Sequence, residues 1–289
     1  MIGLSTPSQT PTGQTPTGQT PTSRVAPRDP LEPSKAAKTF AAAVVYLYAL
    51  ITLLPLLWII ITSFRTPGDA IAYPPKLFTP PSLEGYVNLF TTRTRLSQQE
   101  LDALPPPATL VDKIARDQQM VVVGPSGFLK RYTNSLIVGF GATFLSVFLG
   151  VLAAYGFSRF RIPGKDDWLF FILSTRMMPP IAVAIPIFLM YRTLGLSDTH
   201  LGLILLYTTA MIDGYSRLEA FRRVVLPQAA TGIAATAIFC LIFSWNEYAF
   251  SLLLTSGNAQ TAPPFIPTII GEGGLDWPAM AAATTLFLL

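Results

Sequence analysis

The chain has 289 residues, of which 51% are hydrophobic and only 12% charged. Soluble domains carry about 25% charged residues, so this composition suits lipid rather than water. One Cys and one His exclude an internal disulfide, a cysteine or multi-histidine metal cluster and the usual Ser/His/Asp arrangement. The net charge of +4 is spread over loops and interleaved with acids, which fits membrane orientation and leaves no nucleic-acid footprint.

Residues 1–36 form a tail. Gln-Thr-Pro-Thr-Gly stands at 9–13 and again at 14–18, and Gln19-Thr20-Pro21-Thr22 continues it. Such a composition buries no core and predicts disorder on the cytoplasmic side. The following apolar run begins too late and is too long for a secretory signal. Arg24, Arg28, Lys35 and Lys38 precede that run and pull the amino terminus to the cytoplasm.

Lys38 and Arg65 bracket an interval without charge, longer than the ~20 residues that cross the hydrocarbon core. Residues 37–65 are therefore the first membrane helix, with Pro55 a tolerated kink. A polar region at 66–130 follows on the extracytoplasmic side, with a short helix near 97–103 and the run Leu104-Pro105-Pro106-Pro107. Long loops translocate largely regardless of their charge.

Residues 131–289 are a membrane core. Arg131 and Arg159 bracket a second charge-free interval, giving a span at about 132–157. Arg159, Arg161 and Lys165 then mark a cytoplasmic loop before a third span at about 168–191. That span carries Arg176 and, after it, Pro179, Pro180 and Pro186. The prolines predict a broken helix with backbone carbonyls turned to a cavity. Arg176 either walls a polar cavity between the helices or ties helix ends together by snorkelling.

A fifth span, at about 229–256, is interrupted by Trp245, Asn246, Glu247 and Tyr248. Glu247 either lines a polar path through the membrane, with the aromatics beside it as stacking faces, or is a buried carboxyl satisfied by a neighbouring helix. The loop 258–277 carries Glu272 and Asp276 but no Lys or Arg, which places it outside. The preceding polar island, 210–227, then falls inside. In that island Gly214 permits a sharp turn. Leu218, Phe221 and Val225 recur at helical spacing before Pro227, a short amphipathic element suited to a groove on a soluble partner.

The island carries more than its spacing. Ala210-x-x-Asp213-Gly214, followed after nine residues by Val224-x-Leu226-Pro227, closely resembles the ATPase-coupling loop of the membrane subunits of binding-protein-dependent ABC importers. Trp245-Asn246-Glu247-Tyr248, Asn134-Ser135 and Ser174-Thr175-Arg176-Met177-Met178-Pro179-Pro180 resemble the sugar-importing, maltose-type branch. The resemblance covers about 38–90 and 128–289; within it, 91–126 looks like an enlarged loop, either a tolerated insertion or a contact for a binding protein.

The resemblance implies an all-α polytopic membrane protein of six spans, paired with a second permease subunit. Two ATPase subunits dock below it and a soluble sugar-binding protein delivers substrate from outside. The implied coupling residues are Ala210, Asp213, Gly214, Arg217, Leu218, Phe221, Arg222, Leu226 and Pro227. The implied path residues are Arg176, Pro179, Pro180, Trp245, Asn246 and Glu247. No Gly-x-x-x-x-Gly-Lys-Ser/Thr loop occurs, so this chain is expected to bind no cofactor, with ATP and Mg used by the partner ATPase. No catalytic or metal residue is assigned.

Two segments are short for this plan. Leu201–Thr209 is under half of the ~20 residues of a span. At Thr208-Thr209-Ala210-Met211 only the second alanine of the family's Glu-Ala-Ala sequence remains. The last apolar run is also short, so the fourth and sixth spans look incomplete: the sequence either omits residues or belongs to a truncated, inactive permease. An ion-coupled secondary transporter is the alternative from another class. It would need facing carboxylates, and Glu247 is the single acid deep in an expected span. An intramembrane enzyme would need a nucleophile–base pair or metal cluster that one His and one Cys do not supply.

Overall fold

The computed structural model describes residues 34–175, 177, 179–209, 226–271 and 274–288. The chain divides into two compact units, Met1–Thr52 and Leu53–Leu289. The described part of the first unit belongs to α1, Lys35–Ser63. Ser34 opens this helix by accepting the Ala37 N–H on its hydroxyl at 3.2 Å, as N-cap serines do. At 29 residues α1 is long and apolar enough to cross a membrane.

The second unit contains the short helices α2 (Pro67–Ala70) and α3 (Glu84–Phe90), then a small module. In the module, strands β1 (Thr91–Arg95) and β2 (Met120–Pro125) enclose helices α4 (Gln98–Asp102) and α5 (Leu110–Asp117). The strands pair antiparallel from Thr91↔Pro125 to Arg95↔Met120, with a bulge between Thr92 and Arg93. Each enclosed helix opens on a capping box, Ser97 with Glu100 and Thr109 with Asp112. These reciprocal bonds satisfy N–H groups that a short helix otherwise leaves to water.

The module is mounted firmly on α3. Gln118 bridges the two by donating to Glu84 at 2.9 Å and accepting from Arg93. Burial pushes the Glu84 carboxyl above its ordinary value, against the opposing hydrogen bonds from Gln118 and Ser82. At the base, the Ser126 N–H donates to the Phe90 carbonyl at 2.8 Å.

The long helix α6, Phe128–Arg159, is the centre of the remaining structure. It is the other described helix long and apolar enough to cross a membrane. Beyond it come α7 (Lys165–Thr175), α8 (Pro180–Thr193), α9 (His200–Thr209), α10 (Leu226–Trp245), α11 (Ala249–Leu254), α12 (Ala262–Phe265) and α13 (Trp277–Leu288). A two-residue ribbon, β3 (Ile270–Gly271) with β4 (Gly274–Leu275), precedes α13. Among the described residues the fold is therefore helical except for two small ribbons, β1–β2 and β3–β4, which the all-α expectation omitted.

Close approach of helices rests on small residues, as between helices in lipid. α6 packs against α9 and α10, and α3 against α13. A Cβ on Gly141 would lie 2.8 Å from Ile204, and one on Gly139 would lie 3.3 Å from the Trp245 ring. At the other contact Ala279, Ala282 and Ala283 of α13 are wholly buried beside Leu89 and Phe128. Asp276 fastens that contact. One carboxylate oxygen caps α13 at the Ala279 N–H, at 3.0 Å. The other accepts from the Asn88 amide of α3 at 2.8 Å.

Gly85 gives the sharpest test of this packing. A Cβ there would stand 2.7 Å from the Pro278 carbonyl oxygen, a backbone atom that cannot swing away. Gly85→Val is expected to cost roughly 1–3 kcal/mol through overpacking. Gly68→Ala, where nothing lies within 4 Å, is expected to cost less than half as much. Thermal unfolding of the two variants in detergent measures the difference.

Candidate functional site

The expected path residues stand at two helix breaks. α7 ends at Thr175 and α8 begins at Pro180, so the third apolar run is two helices. Ser174 and Thr175 turn their hydroxyls back onto the carbonyls of Phe171 and Ile172, at 2.8 and 2.7 Å. Pro179 is the N-cap of α8 in extended conformation, and its carbonyl accepts the Ala182 N–H at 3.0 Å. Pro180 occupies the first position of the helix, where a missing N–H costs nothing. Arg176 lies outside the described residues.

The second break separates α10 from α11 at 246–248. Trp245 closes α10 and faces inward. Its ring stacks on Phe287 with centroids 4.5 Å apart and planes 14° apart, and its Nε1–H donates to the Phe287 carbonyl at 3.1 Å. Tyr132 meets the same ring edge-on, and Gly139 leaves room for it. The indole is thus a fastener between α10 and α13.

Glu247 is occupied as well. Oε1 accepts the Phe250 N–H at 2.8 Å. Oε2 accepts the Ser251 N–H at 3.1 Å and the Tyr207 hydroxyl at 2.5 Å. Of the two readings open in the sequence, this geometry is that of a carboxyl satisfied by its neighbours. Asn246 and Tyr248 are exposed, and the Asn246 amide donates to the Ile242 carbonyl one turn back at 2.9 Å. The break therefore turns Trp245 and Glu247 into the packing and Asn246 and Tyr248 outward.

The coupling residues Ala210, Asp213, Gly214, Arg217, Leu218, Phe221 and Arg222 lie outside the described residues. Leu226 and Pro227 form the first turn of α10, and nothing of their side chains is described. Among the described residues no group of three or more His, Cys, Asp or Glu could hold a metal ion.

A further polar cluster joins the loop 255–262 to the start of α6 and the turn before α9. Asp198, at a φ of 55°, turns its carboxylate onto successive backbone N–H groups, those of Ser256, Gly257, Asn258 and Ala259, at 3.0–3.4 Å. Burial alone would push this carboxyl up. The hydrogen bonds from Ala259, Asn258, Ser256 and Gly257 together outweigh burial and hold it below the ordinary Asp value.

Asn134 completes the cluster from α6. Its amide donates to the carbonyls of Asn258 and Gln260, at 2.8 and 2.9 Å. Its carbonyl, which can only accept, pairs with His200 Nε2 at 2.7 Å, so that ring nitrogen carries the proton. Beside it, the Ser135 hydroxyl accepts the Ala262 N–H at 2.8 Å. Asn134 and Ser135 were noted in the sequence, His200 only as the single histidine, and Asp198 not at all. The partners of Asp198 and His200 lie about 60 residues away, with no local pattern to mark them.

Comparison with known proteins settles the family. Residues 205–289 match the family described as the binding-protein-dependent transport system inner membrane component. The ABC transporter permease protein ORF1 of Streptomyces antibioticus is 31% identical over 176 residues, which are 52% of this chain and 77% of that protein. The chain belongs to this permease family. The trehalose transport system permease protein SugB of Mycobacterium tuberculosis is 33% identical over 181 residues, covering 54% of this chain and 66% of that one. A crystal structure of a bacterial ABC transporter involved in import of the acidic polysaccharide alginate has a similar fold. Its TM-score is 0.59 at 18% identity, over 89% of this chain and 94% of that chain. This chain is thus the α-helical inner-membrane permease subunit of an ABC importer.

The Asp198 cluster of the permease makes a pH-dependent prediction. A carboxyl with a depressed folded pKa stabilises the fold above its unfolded pKa and loses that contribution as pH falls through the folded value. Asp198→Asn is therefore expected to lower the unfolding temperature at pH 7. The gap to wild type should shrink steadily once the pH drops below the ordinary Asp value. Melting curves of both proteins from pH 7 to pH 3 measure this.

Proposed function

We propose that this permease imports a sugar or related polyol as one half of a permease heterodimer. Two ATPase subunits bind below it, and an extracytoplasmic sugar-binding protein supplies the substrate. The observation that carries the reading is the sequence Ala210-x-x-Asp213-Gly214 through Leu226-Pro227, within a chain of this family. The substrate class is supported by the trehalose permease relative.

In the proposed arrangement the spans are α1, α6, the pair α7–α8, α9, the pair α10–α11, and α13, with the amino terminus in the cytoplasm. The charge asymmetry between the 210–227 island and the 258–277 loop supports this orientation. A helix rises 1.5 Å per residue, so the described residues of α9, 10 in number, account for about 15 Å, roughly half of the hydrocarbon core.

The cycle follows from the arrangement. Closure of the ATPase dimer draws the 210–227 segments of the two permeases together, and rocking of the helices turns the cavity from inward to outward access. Gly214 supplies the turn and the Leu218/Phe221 face docks. Arg217, Arg222 and Arg223 pair with acids on the ATPase. Hydrolysis needs the partner chain, because this one has no phosphate loop.

Three outcomes test the reading. The chain purified alone should hydrolyse no ATP above background, whereas the assembled complex should; turnover by the single chain sinks the assignment. Gly214→Val and Phe221→Asp should each abolish sugar uptake with membrane insertion intact, since an unpaired charge in a desolvated contact costs several kcal/mol. In a Cys240→Ser background, Ser216→Cys should react with a membrane-impermeant thiol reagent only from the cytoplasm. Leu275→Cys, beside Gly274 at a φ of 110°, should react only from outside.

A further inference from the structure

We propose that Glu247 is a positioning residue for transport: with Tyr207 it clamps the joint between α10 and α11 onto α9, and it does not bind substrate. The inference rests on the importer reading. Tyr207 stands on the helix that enters the 210–227 segment, three residues before Ala210. Glu247 stands just beyond the far end of α10, the helix that leaves the same segment. Both flanking helices are thus pinned at one carboxylate, while Trp245 pins the same joint to α13 through Phe287.

The chemistry requires a carboxylate. Phe250 N–H, Ser251 N–H and the Tyr207 hydroxyl all donate, and ionised Glu offers acceptors on both oxygens. Gln would turn an NH₂ group toward one of the donors and leave it unanswered. α10 has 20 residues, about 30 Å at 1.5 Å per residue. A displacement of its Leu226 end therefore pivots about the clamped joint. With the joint free, the same displacement bends the chain at 246–248 and is dissipated before it reaches the substrate cavity.

The test uses the full chain co-expressed with its partner permease, ATPase and binding protein, and trehalose as the probe. Glu247→Gln and Tyr207→Phe should each lower the maximal uptake rate at least fivefold, with KM held within twofold. The complex should keep at least half of its ATP hydrolysis. The double variant should be no worse than Glu247→Gln alone, because one clamp is lost only once. A tenfold rise in KM for Glu247→Gln with Tyr207→Phe unaffected would make Glu247 a substrate ligand, and effects that multiply would make the residues independent. Either result overturns the proposal.

If Glu247→Gln does not insert, Tyr207→Phe decides alone: a lost maximal rate at constant KM supports the clamp and wild-type uptake defeats it. Hydrogen exchange at the Phe250 and Ser251 amides in detergent needs no transport. It should rise at least tenfold in Glu247→Gln and measurably in Tyr207→Phe. A wild-type complex that moves no trehalose or other disaccharide counts against the importer reading. In that event exchange unchanged in both variants removes the clamp, and faster exchange in both retains it.

Discussion

A helix that breaks inside a bilayer leaves N–H and C=O groups that no water answers, so the protein must answer them itself. This constraint organises the permease. At the first break the burden falls on carbonyls, and the hydroxyls of Ser174 and Thr175 take it locally. At the second it falls on N–H groups, and Glu247 takes it with an oxygen to spare for Tyr207. The repair by Ser174 and Thr175 stays within α7. Repair by Glu247 enlists a neighbouring helix.

The same economy of donors and acceptors governs the loops. Asp198 does for the turn at 256–259 what Glu247 does for α11, and Asp276 does it for α13. Each is an acid whose oxygens are directed at backbone N–H groups rather than at a basic side chain. Lys76 pairs with Asp69 of α2 at 2.6 Å, and with the lysine end open to solvent such a pair adds little. The three carboxylates of Glu247, Asp198 and Asp276 stabilise backbone geometry, and the close contacts of α6 with α9 and α10 and of α3 with α13 are left to Gly and Ala.

The long helices were legible because charge is costly in lipid: the intervals Lys38–Arg65 and Arg131–Arg159 bound α1 and α6 closely. The breaks coincide with Pro179-Pro180 and with the polar run after Trp245. The module between Thr91 and Pro125 was not legible as a sheet, although Met120-Val-Val-Val and the alternating Thr91-Thr-Arg-Thr-Arg carried strand signals. Its two capping boxes were also present in the sequence, at Ser97/Glu100 and Thr109/Asp112. The roles of Asp198, His200 and Tyr207 were hidden for a different reason. A hydrogen bond across 40 to 66 residues depends on how helices meet, and no periodicity within one segment records that.

The module closes on itself. Thr91 faces Pro125 in the ribbon, and Ser126 bonds back to Phe90, so the chain leaves and re-enters the core at adjacent points. The ends of α3 and α6 are therefore held side by side by the base of the ribbon and the Ser126–Phe90 bond. Residues added in pairs at the far end of the ribbon, beyond the Arg95↔Met120 pair, leave that base in place. The permease thus has, beyond this base, a place where added chain keeps its two ends together.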